Sequence, residues 1–284
     1  TDGLWTGGWV TFPNYWTGQA TVFAGRTGRS DRLTRGGPMM DSPAGVNTSA
    51  AIFTDGRKPL MLGLQGAYSS SRGGGWDASS SVNLTWRPAS SLSFEAGPSL
   101  MRSRSTAQYV TTQADAAATA TYGSRYVFGD LDQTEVSMTL RANWIVSPRM
   151  SVQLYAQPLL STGRYFDFKE AAAPRTYSFR RYGYETGSIV YDPAASRYQV
   201  DPTAGNQDSP FGFASPDFNF KSLRVNAVYR WEFRPGSTVY LVWTQMREDY
   251  ARPGQFALGS DLSSMFAAPG DNVLMAKVSY WFSR

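Results

Sequence analysis

The residues best suited to chemistry in this chain are carboxylates and guanidinium groups. Asp130, Asp132 and Glu135 form its densest acidic cluster. Oxygen ligands at that spacing are the kind a calcium ion takes. The competing role is mechanical: the same side chains would cap and line the start of a strand that begins at Thr134, or earlier at Tyr126. A second set, Asp77, Glu95, Glu135, Arg141, Arg224, Arg230, Glu232 and Lys277, is dispersed. Each stands at a polar position of a segment in which polar and apolar residues alternate. Held on one face, these charges would line an aqueous passage and set its ion preference. They would equally well fill a salt-bridged interior with no traffic.

Composition excludes other chemistries. The 284 residues include no histidine and no cysteine. That removes the usual general base, the Ser-His and Cys-His nucleophile pairs, the commonest metal ligand, thiolate sites and disulfides. No local motif supports a carboxylate pair or a Ser-Lys pair, so neither an enzymatic activity nor a cofactor is expected. The net charge of +5 is modest and spread out. No basic run with interleaved aromatics offers a track for nucleic acid.

The elements that must position these charges are strands. In Phe218 to Arg234, Leu223, Val225, Ala227, Tyr229, Trp231 and Phe233 alternate with Ser222, Arg224, Asn226, Val228, Arg230, Glu232 and Arg234, a polar set but for Val228. A period of two puts the sets on opposite faces. Arg234-Pro235-Gly236-Ser237 reads as a tight turn. Thr238 to Arg247 and Val273 to Phe282 follow as strands, the last with Leu274, Ala276, Val278, Tyr280 and Phe282 on one side. Upstream, the same signal marks Leu4–Phe12, Thr17–Arg26, Val46–Thr54, Leu60–Ser69, Trp76–Trp86, a run from Leu92 to Arg102, Thr134–Val146 and a run from Val152 to Ser161. Residues past Arg102 extend that strand or form loop. Trp76 and Trp86 bracket one of the cleanest alternations.

Such segments are long and aromatic-rimmed for a soluble sandwich. Aromatic residues make up 14% of the chain and charged residues 17%, a high and a low share respectively. No stretch approaches the roughly 18 apolar residues of a membrane-spanning helix. A membrane protein without such helices must be a closed barrel, because lipid cannot satisfy open backbone groups. The expected fold is therefore all-β: a transmembrane antiparallel β-barrel of the outer-membrane type, a single domain over residues 1–284, with about eleven or twelve strands.

The connections alternate. Short turns fall at 13–16, 55–59, 87–90, 147–149 and 234–237, and longer loops at 27–44, 70–75, about 103–125, 165–216 and 248–270. An outer-membrane barrel sorts its connections this way, with short turns in the periplasm and long loops outside. Eleven strands leave the C-terminus periplasmic and Thr1 outward, whereas barrels of this type have an even count. Either one strand is missed, or the chain is the C-terminal part of a longer protein, with an upstream segment or another chain completing the barrel. The second reading is preferred. Arg29, Arg32 and Arg35 in an outer loop could meet lipopolysaccharide phosphates, or form a solvated basic loop.

Several stretches resemble a family of large Gram-negative outer-membrane proteins with an uncharacterised C-terminal barrel domain, commonly preceded by a carbohydrate-binding-like domain. They are Arg35-Gly36-Gly37-Pro38, Gln108-Tyr109-Val110, Tyr126 to Gln133, Leu154 to Pro158, Phe218 to Arg224, Arg230 to Ser237, Val242 to Gln245 and Ser279 to Phe282. The resemblance covers Arg35 to the end and implies location and fold, but no activity. The terminal aromatic Phe282 is followed by Ser283 and Arg284, a departure from the usual barrel ending. Two functions remain open: a structural anchor or partner-binding surface component, or a passive or selective channel. The Tyr- and Arg-rich loop 165–216 favours the first, since loops carry binding.

Overall fold

A computed structural model describes residues 2–203 and 210–282. Thr1, Ser283 and Arg284, on which the outward N-terminus and the unusual ending were read, lie outside the described residues. The strands are β1 (Gly3–Thr11), β2 (Thr17–Gly25), β3 (Gly28–Ser30), β4 (Met40–Ser42), β5 (Gly45–Phe53), β6 (Leu60–Ser71), β7 (Trp76–Ala89), β8 (Leu92–Ala114), β9 (Ser124–Ser147) and β10 (Met150–Ala171). After them come β11 (Phe179–Arg181), β12 (Ser188–Asp192), β13 (Arg197–Asp201), β14 (Phe211–Ala214), β15 (Phe218–Arg234), β16 (Ser237–Asp249), helix α1 (Leu258–Ala267) and β17 (Gly270–Ser279). One antiparallel path runs β1-β2-β5-β6-β7-β8-β9-β10-β15-β16-β17, with β11 attached to β10. Its members are the segments that the alternation picks out.

Cross-strand register assigns the two faces. One row runs Ile52, Leu64, Val82 through neighbouring strands, and another runs Leu100, Val136, Leu160. Ala227 lies between Leu154 and Trp243 in the same face. These side chains are apolar, and many stand exposed: Leu60, Leu64, Trp86, Leu100, Trp144, Leu154, Leu241 and Leu274 among them. The opposite face carries hydroxyls and amides that bond across strands, as in Thr21–Ser49 at 2.7 Å, Asn47–Ser69 at 2.7 Å and Asn226–Thr244 at 2.9 Å. Hollows lie on this polar face, one among Gln19, Ser49, Gln65, Ser79 and Ser99, another among Arg141, Gln153, Tyr155 and Asn226. The polar face is therefore the concave one.

Short turns gather at one end of the sheet. At Arg234-Pro235-Gly236-Ser237, Gly236 has φ +76°, and a Cβ there would come within 2.9 Å of Trp281. Only glycine fits both constraints. The opposite end, the crown, differs from expectation in three ways. The expected loop 103–125 shrinks to residues 115–123, because β8, β9 and β10 run for 23, 24 and 22 residues and stand well past the rest of the wall. Register shifts at Ser105/Gln108 and Phe166/Lys169 bend them. The described residues of 165–216 complete β10, add β11 and form the small sheet β12-β13-β14. Residues 248–270 contain α1.

Both faces of the extension are covered. Val127 and Phe168 pack with Tyr182, Val200, Phe211 and Phe213. On the other side Phe128 packs with Met40, Ala107 and Ala171, flanked by Leu33, Tyr177 and Phe179. A strand buried on both sides loses the polar alternation, which is why Tyr126-Val127-Phe128 gives a weak signal in sequence. Helix α1 lies on the apolar face. Its Met265 is fully buried against Leu160 and Leu223. Asp261 accepts hydrogen bonds from Ala257 N–H (2.7 Å), Arg252 (2.9 Å) and Asn219 (3.2 Å), fixing the first turn. Among the described residues, β1 and β17 each pair on one side only.

Candidate functional site

The eight dispersed charges all fall on the concave polar face. Asp77 lies opposite Ser103, Glu95 opposite Arg141, Glu135 between Met101 and Ser161, and Lys277 opposite Tyr240. Arg224, Arg230 and Glu232 alternate along β15 on that side. Two pairs form: Arg141 to Glu95 at 3.9 Å and Arg230 to Glu232 at 3.4 Å. Arg141 also lies over the Tyr155 ring, 5.5 Å from its centre. Arg224 stays exposed. Fixed charges of both signs are thus spread along a polar surface, an arrangement that can order ions or hold a polar partner.

The acidic trio is not brought together. Glu135 is separated from Asp132 by an odd number of strand positions and faces the other side of β9. Asp130 is buried and bonded to the Lys169 ammonium at 2.6 Å. Asp132 takes a two-pronged bond from Arg104, at 2.8 and 3.0 Å, with Arg164 at 4.0 Å. Among the described residues no group of three metal-binding side chains converges. These aspartates neutralise cations of the wall, and the calcium reading gives way to that role. The basic loop is likewise dispersed: Arg29 reaches Asp41 at 3.8 Å, Arg35 stacks on Tyr109 at 4.8 Å, and Arg32 follows the turn at Ser30.

A buried ionic knot in the crown escapes sequence reasoning. Arg125, almost fully buried, donates to Asp115 at 2.5 Å and to Glu170 at 2.7 Å. Glu170 also receives Arg180 at 2.6 Å and the Tyr182 hydroxyl at 3.0 Å. Burial alone would lower the Arg125 pKa, but the two carboxylates outweigh it and hold it above the usual guanidinium value. Burial, then the charge and hydrogen bond of Glu170, push the Tyr182 phenol far above its ordinary range. The knot ties β9, β10 and the 172–187 segment into one body. Its members are single charges far apart in sequence, and the only hint is a charge bordering an aromatic run, as Arg125 borders Tyr126-Val127-Phe128.

At the foot of the crown lies a cavity of about 800 Å³ lined by residues of both faces, among them Arg29, Asn47, Asp77, Trp76, Arg104 and Tyr177. Thr106 Oγ1 donates to Gly73 O at 2.6 Å and lies 3.1 Å from the Tyr177 hydroxyl, which fixes that wall. The cavity offers hydroxyls, an amide, guanidinium groups and a carboxylate around a polar ligand or loop.

No characterised protein matches the sequence. The crystal structure of the siderophore receptor PiuA from Acinetobacter baumannii is similar at a TM-score of 0.47 and 10% sequence identity, over 96% of this chain and 43% of the receptor. The chain therefore spans less than half of that receptor's length. The family described as a domain of unknown function (DUF5916) matches residues 30–283, nearly the whole of this sequence, and the chain belongs to that family.

Proposed function

We propose that this chain is a section of the wall of an outer-membrane β-barrel, and that its crown is a partner-binding or anchoring surface outside the cell rather than a catalyst. The observation that carries the reading is the pair of faces. A convex apolar surface of exposed Leu, Val and Trp residues backs a concave polar one, and contiguous exposed apolar surface of that kind belongs against lipid or a partner. Trp76 and Trp86 share the apolar face ten positions apart. At roughly 3.3 Å per residue and a tilt of about 45°, that spacing rises roughly 23 Å, close to the height of a lipid-facing band. The crown supports the anchoring role, because it is a built structure with hydrophobic clusters and a buried ionic knot. In the family resembled, such a barrel would carry a further surface domain upstream.

The absence of cysteine makes the test clean. Single cysteines at Tyr184 in the crown, Asn14 in a short turn and Leu64 on the apolar face are introduced into the protein in cells. A membrane-impermeant maleimide should label the first on intact cells, the second only after the outer membrane is opened, and the third in neither case. Labelling of Asn14→Cys on intact cells, or of Leu64→Cys by the impermeant reagent, would overturn the reading.

The edges bear on partners. Eleven strands along one antiparallel path make β1 and β17 run the same way, so direct closure between them would be parallel. An unsatisfied backbone group in lipid costs several kcal/mol. We infer that each edge takes a strand of opposite direction, from an upstream segment of a longer protein or from another chain. The channel remains a second reading, favoured by the mixed charges on the concave face. It requires a conductance in planar bilayers whose ion preference shifts with Arg141→Glu or Arg230→Glu.

A further inference from the structure

On the apolar face, the rows change character toward the crown across β8, β9 and β10. The row Leu100, Val136, Leu160 is apolar. Two positions further comes Arg102, Thr134, Thr162, and two further again Arg104, Asp132, Arg164. Phe166 follows on the same side, with the Arg104 and Arg164 guanidinium groups 5.1 and 5.7 Å from its ring centre. Of the acids around these guanidinium groups, Asp132 is bonded to Arg104, Asp130 to Lys169 and Asp167 pairs with Arg181, while Asp217 lies near Arg164; counted with Lys169 and Arg181, the cations exceed the acids by one. Arg104 is held in place by Asp132, while the Arg164 side chain is 64% exposed and Arg102 also points into the open. Below them, toward the short turns, Leu100 and Leu140 stand exposed on the same face.

We propose that Arg102, Arg104 and Arg164 form a seat for the phosphate of a phosphorylated glycolipid of the surrounding outer leaflet, with its acyl chains lying on Leu100 and Leu140. This rests on the outer-membrane reading above. Two features select such a ligand. Guanidinium groups bind phosphate oxygens in pairs, and an excess of positive charge next to weakly hydrated aromatic and aliphatic surface suits an anionic head joined to hydrocarbon. The height fits as well. Leu160, level with Leu100 across β9, stands ten positions beyond Met150 at the short turn, a rise of roughly 23 Å, so the arginines lie just past the apolar band of about 25 Å. The phosphates of lipid packed against that band would sit at this level. The side chains Phe128 and Met40 cover this face only further into the crown.

The test uses the purified full-length protein in detergent. Binding of bisphosphorylated lipid A, of its dephosphorylated form and of inorganic phosphate is measured by native mass spectrometry and titration calorimetry. The expected result is that the bisphosphorylated lipid binds, the dephosphorylated form binds about tenfold or more weakly, and inorganic phosphate at millimolar concentration fails to displace it. Arg102→Ala with Arg164→Ala should lower affinity by about tenfold or more. Arg102→Lys with Arg164→Lys, which keeps charge and loses the paired geometry, should fall between. Quenching of tryptophan fluorescence by brominated lipid in reconstituted vesicles reports independently whether the apolar face meets hydrocarbon. Quenching with unaltered lipid A affinity in the alanine variant overturns the seat alone. Equal, arginine-dependent binding of inorganic phosphate overturns the lipid as its ligand. Absence of quenching overturns the membrane reading and the seat with it. The lysine variant keeps the question answerable if the alanine variant does not fold.

Discussion

Individual residues show how the wall tolerates its charges. Glu170 is 1% exposed and satisfies two guanidinium groups and a phenol. Replacing it by alanine would strand Arg125 and Arg180, and removing one partner of a buried pair costs about 3–5 kcal/mol. Glu170→Ala should therefore loosen the crown while leaving the wall intact. Limited proteolysis would show faster cleavage between residues 172 and 217 and unchanged protection of β5 to β7; equal protection throughout would refute it. Asp55, in the turn before β6, is gripped by Arg57, whose side chain and then backbone N–H hold the carboxyl down at about 2 from its ordinary 3.8. A depressed folded value means that the carboxylate supports the turn fully above the unfolded value and loses that support as the pH falls through 2. An NMR titration of Asp55 should find its midpoint near 2, and Asp55→Asn should abolish this part of the acid response. A midpoint near 4 would show that the Arg57 bond does not form.

At the scale of elements, α1 is a short helix that could not stand alone in water, since isolated helices of this length are marginal. It persists because Met265 and Leu262 pack on Leu160, Leu223 and Val225, and because Asp261 satisfies its first turn. The covering segment also serves the polar groups that the rim of the apolar face carries: Lys221, fully buried, bonds Asp249 at 2.8 Å and Ala251 O at 2.9 Å. Met265→Ala removes a fully buried side chain and should cost about 2–5 kcal/mol of local stability. Hydrogen exchange of residues 258–267 should then accelerate at least tenfold without change in β16 or β17. Unchanged exchange would mean that the helix is held by its caps alone. The spacing Leu258, Leu262, Met265 is helical and was readable as such, but ten residues between loops carry too little period to outweigh a loop assignment.

Across the whole molecule, one face of the sheet is apolar and the other polar. Ala227 lies in the apolar face between Leu154 and Trp243 and about midway along β15. An arginine there would stand in hydrocarbon, at a cost of roughly 2–4 kcal/mol at mid-membrane. Refolding titrations in lipid vesicles should register that loss for Ala227→Arg and a much smaller one for Asn226→Arg on the polar face. Equal effects of a few tenths would show that the face is not embedded.

Period-two alternation determined most of the wall without reference to any contact. Each strand such as Trp76 to Trp86 or Phe218 to Arg234 carries its own face assignment, because side chains alternate by backbone geometry alone. Turn chemistry did the same at Pro235-Gly236. That the chain belongs to an uncharacterised family was legible from local stretches such as Tyr126 to Gln133. What only the tertiary structure decided depends on separations that local pattern cannot encode. Asp130, Asp132 and Glu135 are neighbours in sequence, yet strand geometry turns Glu135 away, and Lys169 and Arg104, 39 and 28 positions distant, claim the other two. Arg125 finds Glu170 across 45 positions. The doubly buried extension of β8 to β10 hid its period, because two apolar coverings from distant loops erase the contrast between faces. Electrostatic pairing and burial act through space, so the charges' roles emerged only once the register was set.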